Sequence, residues 1–146
     1  MKTHSILLVE DNEDDVRLTQ RALKKANIAN ALDVVGDGIA ALAALRAAAA
    51  QSALPSIVLL DLKLPRLDGL GVLREIRADP RLRCQPVVVL TTSQEQQDVL
   101  QSYELGANSY VRKPVDFEQF AAAIQQLGLY WLVLNELPSA PATPPA

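Results

Sequence analysis

The sequence predicts an α/β fold, a doubly wound five-stranded parallel sheet with helices on both faces. Three observations predict it. The runs Ile6-Leu7-Leu8-Val9, Ile57-Val58-Leu59-Leu60 and Val87-Val88-Val89-Leu90 are short, unbroken and rich in β-branched residues, as strands covered on both faces must be. Segments of helical composition separate them, so strand and helix alternate five times. The length of 146 residues, 49% apolar and 21% charged, suits one ordinary domain with a real core and is too short for two of typical size.

Taken in order, the first strand ends at Glu10 and hands over to a helix from Asp14 to Ala26. Val16, Ala22, Leu23 and Ala26 supply its core stripe, with Leu18 beside it, while Arg17, Arg21, Lys24 and Lys25 take the other side. Acids at its start and lysines at its end complement the helix dipole. Leu32-Asp33-Val34-Val35 is shorter and more polar, which fits a flanking strand. The next helix, Gly38 to Ala50, is alanine-rich from Ala40 onward. Alanine is the best helix former, and small side chains let a helix sit close to a sheet, so this stretch reads as a packed helix. The third strand is followed by a helix from Leu70 to Ala78, and the fourth by one from Glu95 to Leu105, with Ser93 and Gln96 as its capping box. Ser109-Tyr110-Val111 reads as an edge strand, and the last helix begins at Phe117. Such alternation implies right-handed crossovers and a parallel sheet with helices on both faces.

Several classes are disfavoured. The single cysteine, Cys84, cannot form an internal disulfide or supply a zinc cluster, and this fits a reducing compartment. The apolar run after Met1-Lys2-Thr3-His4-Ser5 is far shorter than a signal peptide requires, and no stretch approaches a membrane span, so a cytoplasmic location is expected. A formal net charge of -3 lacks the electrostatic footprint of a nucleic-acid-binding domain.

In an open α/β sheet, ligands bind outside the carboxyl ends of the strands. Glu10 and Asp11 follow the first strand, Asp61 the third, Thr91 the fourth and Lys113 the fifth, so three carboxylates, a hydroxyl and an ammonium are expected on one rim. Unaided, such carboxylates repel one another by roughly 4 kcal/mol per pair at about 4 Å and an effective dielectric near 20. A hard divalent cation with oxygen ligands resolves this, and a sparse carboxylate set completed by water suits Mg²⁺ better than Ca²⁺. Lys113 either neutralises part of the cluster or holds an anionic group beside the metal. Together these parts describe a site for phosphoryl transfer, in which positioning and charge neutralisation do most of the catalysis. Glu13, Asp14 and Asp15 are read structurally, as first-turn residues of the following helix. Capping accounts for at most one of Glu10 and Asp11. An uncompensated Asp61 between Leu60 and Leu62 would be costly to bury.

The ordered set Leu8-Val9-Glu10-Asp11-Asn12, Leu60-Asp61-Leu62-Lys63-Leu64-Pro65 with Asp68-Gly69, Leu90-Thr91-Thr92, and Gly106-Ala107 followed by Tyr110-Val111-Arg112-Lys113-Pro114 resembles the receiver domains of bacterial two-component response regulators. The resemblance covers Ser5 to Leu127 and implies a flavodoxin-like (βα)5 sheet with strand order 2-1-3-4-5. It implies that Asp61 is the phosphoacceptor, attacking a histidine kinase's phosphohistidine. It further implies that Asp11, Asp61 and the backbone carbonyl of Lys63 ligate Mg²⁺, with Glu10 acting mainly through water. Lys113 then pairs with the phosphoryl oxygens, Thr91 hydrogen-bonds one of them, Tyr110 is an aromatic switch, and the Lys113-Pro114 bond is cis. Such a protein is no enzyme beyond its own phosphorylation and dephosphorylation. Two departures are visible. Glu10 stands where many receivers have aspartate, and Thr92 occupies a position often taken by alanine or glycine, where its bulk is expected to slow phosphoryl exchange.

Beyond the receiver, Gly128 to Leu137 carries the only tryptophan. Phe117, Phe120, Ile124, Leu127 and Trp131 recur at near-helical spacing, predicting one stripe on an extended last helix. Its apolar excess suggests an interface, most simply a two-fold homodimer through the fourth helix, fifth strand, fifth helix and the extension over 128–137. Residues 138–146 hold four prolines and read as a disordered tail. With no room for an output domain, the output is expected to be an intermolecular contact. Within receivers, Val9-Glu10-Asp11-Asn12-Glu13-Asp14-Asp15, Asp79-Pro80, Leu90-Thr91-Thr92-Ser93 and Tyr130-Trp131-Leu132 resemble stand-alone regulators paired with phytochrome-type kinases. The rival readings are an aspartyl-phosphate-forming phosphatase of the haloacid dehalogenase class, which needs a second aspartate where Lys63 stands; a flavodoxin, whose phosphate the acidic Glu10-Asp11-Asn12-Glu13 would repel; and an interaction module with a relict site.

Overall fold

Alternation within each strand sorts the core into two layers, one on each side of the sheet. A computed structural model describes residues 5–92 and 96–129. Its elements in chain order are β1 (Ile6–Val9), α1 (Glu13–Lys25), β2 (Leu32–Val35), α2 (Gly38–Ala50), β3 (Ile57–Leu60), α3 (Gly69–Ala78), β4 (Val87–Thr91), α4 (Gln96–Glu104), β5 (Ser109–Arg112) and α5 (Phe117–Gln126). All strand pairings are parallel, in the order β2-β1-β3-β4-β5. One face of the sheet presents Leu7, Val9, Val58, Leu60, Val87 and Val89 to Leu42 and Leu45 of α2 and Val72, Leu73 and Ile76 of α3. The other presents Ile6, Leu8, Ile57, Leu59, Val88 and Leu90 to Leu23 of α1 and Phe120 and Ile124 of α5. Period-two alternation thus serves both layers, and each fully buried aliphatic side chain contributes about 1.5–3 kcal/mol of transfer free energy.

The five strands, the five helices and the strand order are those expected. The alanine-rich helix spans Gly38–Ala50 and buries Ala41, Leu42 and Leu45. The first helix differs in two respects. Its N-cap is Asn12, whose side chain accepts from the N–H groups of Asp14 and Asp15, so neither Glu10 nor Asp11 is spent on capping. Its buried residues are Thr19, Ala22 and Leu23, while Leu18 is 40% exposed and Val16 and Ala26 are only partly covered. Thr19, outside the expected core stripe, is nonetheless buried.

The expected continuous stripe along the last helix is interrupted at both ends. Phe120 and Ile124 are fully buried, but Phe117 is 46% exposed. α5 closes at Gln126: Gly128 adopts φ 70°, the Gly128 N–H donates to Gln125 O and the Leu129 N–H donates to Ile124 O. That is a Schellman ending, which glycine permits because it carries no Cβ. Trp131, the remainder of the 128–137 extension, the 138–146 tail and Ser93 of the expected capping box lie outside the described residues.

Arg77 of α3 ties the opposite end of the domain together. Its guanidinium donates to the carbonyls of Arg83, Gln85, Leu105 and Gly106, joining α3 to the turn before β4 and the turn before β5. Among the described residues, no helix is long and apolar enough to cross a membrane.

Candidate functional site

The strand register sets the site. Val9 lies opposite Leu60, so the next residues, Glu10 and Asp61, leave the sheet side by side. The ladder continues one step past the strand ends, with Glu10 N–H donating to Val35 O, Asp61 N–H to Val9 O and Lys113 N–H to Thr91 O. These bonds fix the backbone of all three residues to their neighbours, so the side chains start from rigid positions. The Lys113-Pro114 peptide is cis.

Carboxylate oxygens of Glu10, Asp11 and Asp61 lie within 4.8 Å of one another. Glu10 and Asp61 are buried and Asp11 is exposed. Hard oxygen donors converging from two strand ends, open to water on the Asp11 side, fit Mg²⁺ or Mn²⁺ and do not fit a soft metal. Lys113, its side chain only 5% exposed, is the local counter-charge. Its Nζ donates to a Glu10 carboxylate oxygen, to Asp15 Oδ2 at 3.0 Å and to Asp61 Oδ2 at 3.2 Å. Burial alone would lower the Lys113 pKa, but the hydrogen bonds to Glu10 and Asp15 and the Asp61 charge hold it above the ordinary lysine value. The Glu10 pKa is raised too, which for a carboxylate favours the neutral form. Burial pushes its pKa up to about 7, against the Lys113 hydrogen bond and with the help of the nearby Asp61 charge.

The turn after β3 is held from below. Asp61 Oδ1 accepts from the Lys63 N–H at 3.3 Å, and Gly69 N–H donates to Leu62 O at 2.8 Å. A Cβ on Gly69 would lie 2.2 Å from Asp61 O and 2.6 Å from Leu62 Cα. Only glycine permits α3 to start this close to the Asp61 backbone. Asp68 caps that helix by accepting from the Gly71 N–H at 2.8 Å. Thr91 is fully buried at the end of β4, and Tyr110 on β5 packs, half-buried, against the apolar layer under α2 and α3.

Glu10, Asp11, Asp61 and Lys113, selected because each follows a strand, therefore do meet. Lys63 is exposed and reaches Asp61 through its backbone N–H. Asp15 was missed, having been read only as a first-turn acid. The available signal was an excess of acids: one N-cap and a dipole do not require Glu13, Asp14 and Asp15 together.

A model of the response regulator receiver domain matches residues 6–125. Response regulator Rcp1 of Synechocystis sp. is 43% identical over 137 residues, covering 92% of this chain and 93% of its own length. Among solved structures, the bacteriophytochrome response regulator RtBRR is 50% identical with a TM-score of 0.81, covering 94% of this chain and 85% of that one. The phosphorylated cyanobacterial phytochrome response regulator RcpA is 40% identical with a TM-score of 0.73, covering 94% and 99%. Rcp1 has itself been solved in a Mn²⁺-bound form, 41% identical with a TM-score of 0.71, covering 93% and 99%. Neither the phosphatase nor the flavodoxin alternative draws support from these relatives.

Proposed function

The chain belongs to the response regulator receiver family, and on that footing we propose that Asp61 accepts a phosphoryl group from the phosphohistidine of a sensor kinase. The observation that carries this reading is the 3.2 Å contact between Lys113 Nζ and Asp61 Oδ2 beside the three-carboxylate cluster. An Asp61 oxygen forms the bond to phosphorus, the P–N bond of the donor breaks, and the imidazole nitrogen leaves with the electron pair. Asp11 and Asp61, with the Lys63 backbone carbonyl, are the residues to hold Mg²⁺, and Glu10 acts through water. When bound, the cation supplies charge neutralisation to the transferring oxygens. Lys113 then exchanges its Asp61 contact for a phosphoryl oxygen. Thr91, at the end of the neighbouring strand, hydrogen-bonds another, and Tyr110 carries the change to the surface as an aromatic switch.

The kinase is proposed to be of the phytochrome type, because the relatives named for phytochromes match nearly the whole chain. A cytoplasmic location follows from such a partner. The receiver unit is proposed to span 5–127. The 128–137 segment, with α4, β5 and α5, forms a homodimer contact, and 138–146 is a tail. Support for the contact is the apolar surface left by Leu100 and Tyr103 of α4. No activity beyond self-phosphorylation and dephosphorylation is proposed. Acetyl phosphate tests the phosphoacceptor reading. With Mg²⁺ the intact mass gains one phosphoryl group, labile to hydroxylamine as an acyl phosphate; with EDTA it does not. An adduct that forms equally in EDTA, or resists hydroxylamine, contradicts the reading.

A further inference from the structure

We infer that Asp15 is a positioning residue for Lys113, the one carboxylate that keeps hold of the ammonium while its other two partners change roles. The inference rests on the phosphoacceptor reading of Asp61 and extends it. Lys113 has three N–H donors and three carboxylate partners. Two of these, Glu10 and Asp61, belong to the group able to hold a cation. Asp15 is not one of that group. When Glu10 and Asp61 turn to cation and phosphoryl group, Asp15 remains as a fixed leg that keeps Nζ aimed across the mouth of the site.

The local structure releases Asp15 for this task. It is the third residue of α1, where an acidic side chain ordinarily folds back onto the N–H of the N-cap residue to close a capping box. Here the Asn12 N–H donates instead to Glu10 Oε2, at 3.3 Å. The Asp15 N–H is satisfied by Asn12 Oδ1, at 3.2 Å. The Asp15 carboxylate is thereby left to reach Lys113 across 98 residues of sequence. At 27% side-chain exposure it sits at the rim. Water therefore reaches it, and holding Lys113 there does not carry the cost of a fully buried charge.

The rate of adduct formation from acetyl phosphate with Mg²⁺ tests this, together with urea unfolding of the metal-free protein in EDTA. Asp15→Ala is expected to slow adduct formation about tenfold through loss of orientation. Asp15→Asn, which retains an acceptor oxygen, recovers part of the rate. Asp14→Ala removes a first-turn acid that does not touch Lys113, and leaves the rate unchanged. In a Lys113→Ala background, Asp15→Ala costs no further rate, and the metal-free unfolding cycle shows coupling between the two positions. An unchanged rate in Asp15→Ala, the same slowing in Asp14→Ala or in the Lys113→Ala background, or an additive unfolding cycle overturns the positioning role. Absence of any adduct on the parent protein overturns the phosphoacceptor reading, and with it the role of Asp15.

Discussion

At the scale of single residues, the site balances four carboxylates against one ammonium, and the balance is visible in Glu10. Its pKa of about 7 means that in metal-free protein near neutral pH it is divided between carboxylic acid and carboxylate. A cation and a proton compete for it. The sign follows directly: below about pH 7 the proton must be displaced, so Mg²⁺ affinity rises with pH, by up to about tenfold per unit, and levels off once Glu10 is ionised. Glu10→Gln removes most of that slope between about pH 6 and 8. Titration of the parent and the variant with Mg²⁺, followed calorimetrically at several pH values, checks this; a parent affinity that does not change with pH is the contrary outcome. Glu10, Asp11, Asp61 and Lys113 were legible in the sequence because each directly follows a strand, and position after a strand is a one-dimensional property. Asp15 was not, because its contact depends on which atom takes the Asn12 N–H, a choice made only when β1, α1 and the residue after β5 are together.

At the scale of elements, the turn between β3 and α3 aims Asp61, and it does so by close backbone approach. Gly69→Ala places a methyl group where Asp61 O and Leu62 Cα already stand, and neither backbone atom can rotate away as a side chain could. The expected cost is about 1–3 kcal/mol of stability. A slower rate of phosphoryl acceptance should accompany it, because the displaced backbone is that of Asp61 itself. Chemical denaturation together with the rate of adduct formation measures both, and a variant as stable and as fast as the parent contradicts the account of this turn. The strands were readable because each is a short apolar run that must serve two layers, and α2 because alanine has little else to do. Helix ends were less so. Asn12 takes the cap beside the neighbouring acids, and Gly128 stops α5 within a hydrophobic pattern that continues past it. At the two helix ends, hydrogen bonds to the backbone override the side-chain pattern.

At the scale of the whole molecule, the strand order places β1, β3 and β4 at the centre, so the residues that follow them emerge beside one another however far apart they lie in the chain. Topology thus turns Glu10 and Asp61 into neighbours, leaves Thr91 as the last residue of β4, and lets β5 at the edge add Lys113. The order was expected from the resemblance, while the alternation of five strands and helices with right-handed crossovers was legible in the sequence itself. The expected partner surface includes the chain after Leu129, which lies outside the described residues. The central claim, that this rim exists to carry a phosphoryl group on Asp61, is tested most directly by intact-mass measurement of the parent and Asp61→Asn after incubation with Mg²⁺ and acetyl phosphate. The account predicts one phosphoryl adduct on the parent and none on the variant, with both proteins equally folded; an adduct on both, or on neither, contradicts it.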